Sequence, residues 1–172
     1  STTTISLSDF QAGGSKFRNI LRLPEIETTP DAINATATRT MAEANAALDQ
    51  IGKLNSTHVT FENTINALDE NGRRISDAMN RLHLIKETSP DAKLRDAATE
   101  AVKRLEEWGV SLDYREDVFR AVKAYADTKP KLTGERGKLL DETMRDYRRA
   151  GLALPKAERD EVERLRKELT SV

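Results

Sequence analysis

Between residues 61 and 82, apolar or small residues recur at alternating steps of four and three, and the series consists of Phe61, Ile65, Leu68, Gly72, Ile75, Met79 and Leu82. This heptad spacing keeps one stripe of a helix turned towards a partner, whereas the side chains of a strand change face at every residue. We therefore predict a long helix, capped by Thr60, that packs at a shallow angle against a neighbouring antiparallel helix. Gly72 is the weak point of this helix, and we expect a slight bend there.

The neighbouring helix is predicted just before this segment. Thr29, Pro30 and Asp31 supply an N-cap, a proline at the first helical position and an acid in the first turn. Apolar residues then recur at steps of three and four and form one stripe of a helix that is predicted to end at about Leu54. The stripe consists of Ile33, Ala37, Met41, Ala44, Leu48 and Ile51. Several of them are alanines, so we expect this helix to pack closely against its successor.

Four shorter helices are predicted after residue 88. Ser89-Pro90-Asp91 repeats the start signal, and Lys129-Pro130 and Gly151 mark later boundaries. The sixth helix, opened by Pro155, has a stripe of Val162, Leu165 and Leu169, and its i,i+4 ion pairs are predicted to be Asp160 with Arg164 and Glu163 with Lys167. The third helix is predicted from about residue 90 to about Trp108 or Leu112, the fourth over 114–127 and the fifth over about 133–150. The predicted fold class is all-α, an antiparallel bundle of about six helices.

The chain is predicted to divide into an irregular lead-in, residues 1–23, and a helical domain, residues 24–172. Ser, Thr and the pair Gly13-Gly14 occupy the lead-in without a helical period. The sequence begins without Met, and the last apolar stripe still continues at Leu169 without a glycine or proline after it. We therefore expect a processed N-terminus and a helical domain that is truncated at its C-terminal end.

Composition excludes several classes of function. The 28 Lys and Arg residues balance 29 Asp and Glu residues, giving a net charge of -1, so no basic face for nucleic acid is indicated. The chain has no cysteine, which excludes disulfides, thiolate metal ligands and thiol nucleophiles and leaves the cellular compartment open. No run of about 18 apolar residues is present, so no membrane-spanning segment is predicted.

The two histidines, His58 and His83, do not form a predicted zinc site. Helix-borne zinc hydrolysis uses two histidines at i and i+4 with a glutamate between them, and a di-iron bundle uses Glu-x-x-His pairs, but the sequence contains neither pattern. The segment Gly13-Gly14-Ser15-Lys16 lacks the spacing of a phosphate-binding loop. We predict no catalytic, cofactor-binding or metal-binding residue in this chain.

The remaining candidates are interpreted as surface or packing residues. The acid pairs and the arginine pairs Arg73-Arg74 and Arg148-Arg149 are expected to lie on solvated faces, since opposite charges surround them. Trp108 is expected to be a core or half-buried anchor rather than a platform for a ligand. The acid pairs are Glu106-Glu107 and Glu161 with Glu163. The sequence pattern for N-glycosylation occurs at Asn34-Ala35-Thr36 and Asn55-Ser56-Thr57, but the pattern is common by chance and carries little weight.

Three segments in order carry a family resemblance. They are Leu23-Pro24-Glu25-Ile26 with Thr29-Pro30-Asp31-Ala32-Ile33, then Thr60-Phe61-Glu62-Asn63-Thr64-Ile65 with Leu68-Asp69, and finally Arg149-Ala150-Gly151-Leu152-Ala153-Leu154-Pro155 before Glu158-Arg159 and Leu165-Arg166-Lys167-Glu168-Leu169. From about Leu23 to Leu169 the chain resembles the N-terminal region of the thimet oligopeptidase family of zinc metallopeptidases, which includes oligopeptidase A and dipeptidyl carboxypeptidase.

The resemblance implies a large helical enzyme that hydrolyses short peptides in a deep channel, with zinc on a His-Glu-x-x-His helix beyond the matched region. This chain would then be a non-catalytic part of the channel wall, inactive alone, whose partner is the rest of its own polypeptide. Neither nucleic acid nor a membrane is a predicted partner. The alternative is a free-standing, coiled-coil-like interaction module in which the seam from Phe61 to Leu82 meets a partner helix or a second copy. An autonomous enzyme is the third and weakest reading.

Overall fold

The computed structural model describes residues 26–170, so the predicted lead-in, residues 1–23, lies outside the described part. Within that part the chain forms six α-helices and one π-helical turn and contains no strand. The all-α, helical-bundle prediction is confirmed. In chain order the elements are α1 (Pro30–Gly52), the π-helical turn (Glu62–Asn66), α2 (Ala67–Thr88), α3 (Ala92–Leu112), α4 (Glu116–Asp127), α5 (Gly134–Arg149) and α6 (Lys156–Thr170).

The helix starts follow local capping, with one correction. The Thr29 hydroxyl accepts a hydrogen bond from the Ala32 backbone N–H at 3.1 Å, as predicted for α1. At α3, however, the capping residue is Asp91, whose carboxylate accepts from the Lys93 N–H at 2.9 Å. Ser89 instead ends α2. The prediction of Ser89 as the cap of α3 is wrong because a carboxylate two residues later caps equally well and leaves Pro90 outside the helix.

The long second helix begins with a feature that the pattern did not reveal. Thr60 and Asn63 cap each other, since each side-chain oxygen accepts from the other residue's backbone N–H, at 2.7 and 3.2 Å. The Asn66 N–H then donates to the Phe61 carbonyl five residues earlier, at 2.9 Å, which is the hydrogen bond of a π-helix. The predicted cap is confirmed, and the first turn after it is wider than an α-helical turn.

The predicted seam is buried only in part. Phe61, Ile65 and Leu82 are in the core, but Gly72 is exposed. Asn71 and Ala78 are buried where the seam predicted Gly72 and Met79. The apolar pattern did not identify Asn71 as a core residue because Asn71 is polar. Its side-chain amide donates a hydrogen bond to the Ala44 carbonyl of α1 at 3.5 Å.

The core consists of two clusters. Helices α1, α2 and α3 form the first cluster, and Trp108 packs against it half-buried; its buried residues are Ile33, Ala37, Leu82, Ile85, Ala98, Ala101, Val102 and Leu105. The second joins the end of α1 and the π-helical turn to α4 and α5; among its buried residues are Leu48, Phe61, Ile65, Val118, Val122 and Tyr147. Helix α1 therefore contributes buried residues to both clusters, Ile33 and Ala37 to the first and Leu48 and Ile51 to the second.

The passage from α5 to α6 has the predicted glycine end. Gly151 has φ of +87°, and the Leu152 N–H donates to the Tyr147 carbonyl at 3.0 Å, which satisfies a carbonyl at the end of α5. In α6 the predicted pair of Glu163 with Lys167 is confirmed at 2.6 Å. The predicted pair of Asp160 with Arg164 is wrong.

Each partner of that mistaken pair has a different neighbour in α6. Asp160 pairs with Lys156 at 2.8 Å, and Arg164 bonds Glu161 at 2.6 Å and also Glu168. Both arrangements use spacings of three or four residues, so the sequence pattern could not choose among them.

Candidate functional site

A groove of about 640 Å³ lies between α2, α5 and the end of α3, and α6 closes one side of it. We call it the α2–α5 groove. Its apolar wall contains the half-buried side chains of Leu68, Ile75 and Leu112. Its charged rim contains Asp113, Arg149 and Arg166. An apolar floor with a few charged groups at the edge is the ordinary character of a protein site that binds another molecule or segment.

The charged rim is partly neutralised within the chain. The Arg166 guanidinium donates to the Asp113 carboxylate at 3.2 Å and to the Tyr114 hydroxyl at 3.5 Å. Burial raises the pKa of Asp113, and the nearby Arg166 opposes that rise. The same pair connects α6 to the turn between α3 and α4. Its geometry therefore suits positioning of α6 better than chemistry on a substrate.

A second polar network fixes the end of α1 against α4. Arg115 forms two hydrogen bonds to Asp117, at 2.8 and 2.6 Å, and one to Asp49 of α1 at 2.7 Å. The bond from Arg115 lowers the pKa of Asp117. A Cβ atom on Gly52 would lie 2.1 Å from the Asp117 carboxylate, so the close contact of α4 with α1 depends on glycine.

Glu27 forms a third cluster that the sequence analysis did not single out. Its side chain is 8% exposed, and Oε1 accepts a hydrogen bond from the Thr36 hydroxyl at 2.7 Å and lies 3.5 Å from Arg81 of α2. The hydroxyl of the first glycosylation pattern, Asn34-Ala35-Thr36, is therefore engaged inside the fold. No local signal distinguishes Glu27 from surface acids, because its partners lie nine and 54 positions further along the chain.

The two histidines lie apart from any metal-binding arrangement. His58 is exposed in the connection after α1, and His83 lies on α2 with its Nε2 atom 3.9 Å from Glu106. Among residues 26–170, no group of three or more histidine or acidic side chains could hold a metal ion. A catalytic zinc ion needs three protein ligands, and this part of the chain does not bring three such groups together.

The charged pairs mostly lie on helix surfaces in ion pairs. Arg73 is 3.4 Å from Asp69, and Glu107 is 4.0 Å from Lys103. Arg149 is exposed, as predicted, and it also lines the α2–α5 groove. The sequence could not show the groove, since it brings α5 beside residues that are about 75 positions earlier. Membrane insertion is a separate question. Among the described helices, none combines the length and the apolar composition of a membrane span.

Comparisons with known proteins give the chain a peptidase ancestry. It is 31% identical over 121 residues to the "Probable thimet oligopeptidase" of Arabidopsis thaliana, covering 70% of this chain and 17% of that protein. It is 22% identical over 151 residues to saccharolysin of Saccharomyces cerevisiae, covering 86% of the chain and 21% of that protein. A thimet-like oligopeptidase of Dictyostelium discoideum is 26% identical over 130 residues, which are 73% of the chain and 19% of that protein.

These relatives indicate the class of protein that the chain resembles, the oligopeptidases. In particular, the chain is similar to members of the thimet oligopeptidase family, as its three sequence segments predicted. It spans about a fifth of the length of these curated relatives. No family model matches the chain.

Proposed function

We propose that this chain is the N-terminal, non-catalytic helical part of a zinc-dependent oligopeptidase and forms part of the wall of its substrate channel. The observation that carries the proposal is the 31% identity to a thimet oligopeptidase over 70% of the chain but only 17% of that relative. In this proposal residues 24–172 are the helical domain, and the rest of the polypeptide supplies the zinc ligands and the catalytic base. Short peptides are the substrates of the whole protein.

The helices support a scaffolding role. Two buried clusters hold α1 to α5 together, and the Arg115 network fixes α4 on α1. A wall that restricts entry by size must keep its shape, and closely packed helices have low compressibility. Excluding large substrates from the channel would thus contribute to specificity without contact with the reacting bond.

The rival interaction module draws less support from the packing. Its seam would have to face a partner, yet Phe61, Ile65 and Leu82 are at most 5% exposed within this chain. A coiled-coil partner needs such residues at the surface. We therefore retain the peptidase segment as the proposed function.

The experiment is to express the complete reading frame and, separately, residues 1–172, and to measure zinc content and cleavage of a quenched-fluorescent short peptide. We expect zinc-dependent cleavage from the long polypeptide and none from the 172-residue chain. Replacing the glutamate of a His-Glu-x-x-His motif in the long polypeptide by glutamine is the control and should abolish cleavage. Cleavage by the 172-residue chain, or a complete frame without zinc-dependent activity, would contradict the proposal.

A further inference from the structure

Gly72 lies in the interior of α2, although neither a contact nor the backbone conformation among the described residues requires glycine there. Glycine is among the least favourable residues within a helix. Its φ is not positive, and a Cβ atom built on it would meet no atom within 4 Å. Neither the backbone conformation nor packing among the described residues therefore requires glycine at this position. By contrast, Gly52 is required by the close approach of Asp117.

Gly72 lies in the wall of the α2–α5 groove. Leu68 and Ile75, one helical turn before and after it, line the same groove and are half-buried. The missing side chain leaves the α2 backbone accessible between two apolar residues. Glycine at such a place permits close approach by another backbone.

Two exposed leucines lie on α6, close in sequence to the one residue of this helix that lines the groove. Arg166 lines the groove, and Leu169, one turn further on α6, is 78% exposed. Leu165 is 46% exposed. The charged groups that line the groove are Asp113, Asp146, Arg149 and Arg166, and Leu68, Ile75 and Leu112 supply apolar area between them. An apolar groove with charged groups at its edge, next to exposed leucines, is typical of an interaction site.

We propose that an amphipathic helix from another part of the same longer polypeptide packs into the α2–α5 groove, with its backbone closest to α2 at Gly72. This inference rests on the proposed function. The occupant is assigned to the same polypeptide because the curated relatives are about five times as long as the part matched here. Its apolar stripe contacts Leu68 and Ile75, and its next turns reach Leu165 and Leu169.

The test compares backbone hydrogen–deuterium exchange in the 172-residue chain and in the complete polypeptide. We expect amides 70–76 of α2 to exchange about tenfold more slowly in the complete polypeptide, because a docked helix opposes local opening. Amides of α1, which are already covered, serve as the internal reference. Equal exchange of amides 70–76 at both chain lengths would overturn the inference.

Two matched tryptophan variants locate the contact. In the complete polypeptide Gly72→Trp should remove the added protection, whereas Asp77→Trp should retain it. Asp77 is exposed on the same helix but lies about 140° around its axis from Gly72. Gly72→Ala in the 172-residue chain should raise the midpoint of thermal unfolding by about 2 to 4 °C, since no contact among residues 26–170 needs glycine at this position. Equal loss of protection in both tryptophan variants would contradict a contact at Gly72.

The remaining outcomes separate the two proposals and the other occupants. Zinc-dependent cleavage without added protection overturns the docking inference alone, and added protection without cleavage overturns the proposed function alone. Protection that appears only as the concentration of the 172-residue chain rises indicates a second copy and overturns the inference. Protection that requires an added short peptide identifies a ligand site and overturns it as well.

Discussion

Helices α1 and α6 begin with the same kind of signal and reach opposite environments. Proline opens or immediately precedes both, and both have apolar residues at steps of three and four. In α1 the stripe is covered, with Ile33 and Ala37 fully buried. In α6 the corresponding Leu169 is 78% exposed. An apolar stripe thus identifies the face that can be buried, while burial itself depends on whether another element lies against it.

The charged groups of the two helices differ in the same way. In α6 most ion pairs link residues of the same helix, such as Lys167 with Glu163 and Lys156 with Asp160. At α1, Asp49 accepts a hydrogen bond from Arg115, which directly precedes α4, and the Gly52 carbonyl accepts one from Arg120 of α4, both more than sixty positions away. Pairs within an exposed helix contribute only about 0.3 to 0.5 kcal/mol each. The stability of this chain therefore resides mainly in α1 to α5.

The largest expected effect on stability comes from a substitution in the buried cluster of α1, α2 and α3. Leu82→Ala should lower the free energy of unfolding by about 2 to 5 kcal/mol, because Leu82 is fully buried between α1, α2 and α3 and its truncation leaves a cavity. Urea denaturation followed by circular dichroism measures the change. A loss below about 1 kcal/mol would mean that the first core cluster is not closely packed.

Gly52→Ala should have the next largest effect, a loss of about 1 to 3 kcal/mol, because the new Cβ would overlap the Asp117 carboxylate and displace α4. The same denaturation experiment applies. Combining it with Asp117→Ala provides the control, since removing the carboxylate takes away the two closest contacts and should reduce the cost of the glycine substitution, while the Cβ atom of residue 117 would remain 3.1 Å away. An unchanged cost in the Asp117→Ala background would show that some other contact requires Gly52.

Asp117→Asn should have a smaller and pH-dependent effect. Arg115 lowers the pKa of Asp117 in the folded chain, so its stabilising contribution is present above the unfolded pKa of about 3.9 and disappears as pH falls through the folded value. At pH 7 we expect a loss of about 0.5 to 1 kcal/mol, kept small because the side chain is 39% exposed and screened. Urea midpoints between pH 2 and 7 should converge at the acidic end. A difference that is constant with pH would contradict the ion-pair explanation.

The smallest effect on stability is expected from a substitution on the exposed stripe of α6. Leu169→Ala should change the free energy of unfolding of the 172-residue chain by less than about 0.5 kcal/mol, as for other surface substitutions. Thermal denaturation at low protein concentration measures it, with Leu82→Ala as the reference for a buried leucine. A loss as large as that of Leu82→Ala would show that α6 is covered within this chain and would remove the contrast between the two helices.

The sequence predicted the helices well because their signals are local. The Thr29 cap, the Thr60 cap and the left-handed Gly151 each act within a few residues of their own backbone, so spacing alone identified them. The mistakes were also local in origin. Two caps compete at Ser89 and Asp91, and several partners compete for Arg164.

The candidate site could be predicted much less well. Asn71 was missed as a core residue because the apolar pattern ignores polar side chains that find a partner across the bundle. Arg149 is exposed, as predicted for a solvated charge, but no local signal showed that it borders the α2–α5 groove. Glu27 is buried against Thr36 and Arg81, which no spacing rule relates to it.

By itself the sequence determined that this chain is helical, roughly where each helix begins and which family it resembles, since capping, periodicity and short family segments are all encoded by nearby residues. Only the tertiary structure decided which stripes are covered and which remain exposed, where Gly72 lies, and how Arg115 joins α4 to α1. The physical reason is that burial and ion pairing depend on contacts between distant parts of the chain, whereas helix formation depends on hydrogen bonds over four residues.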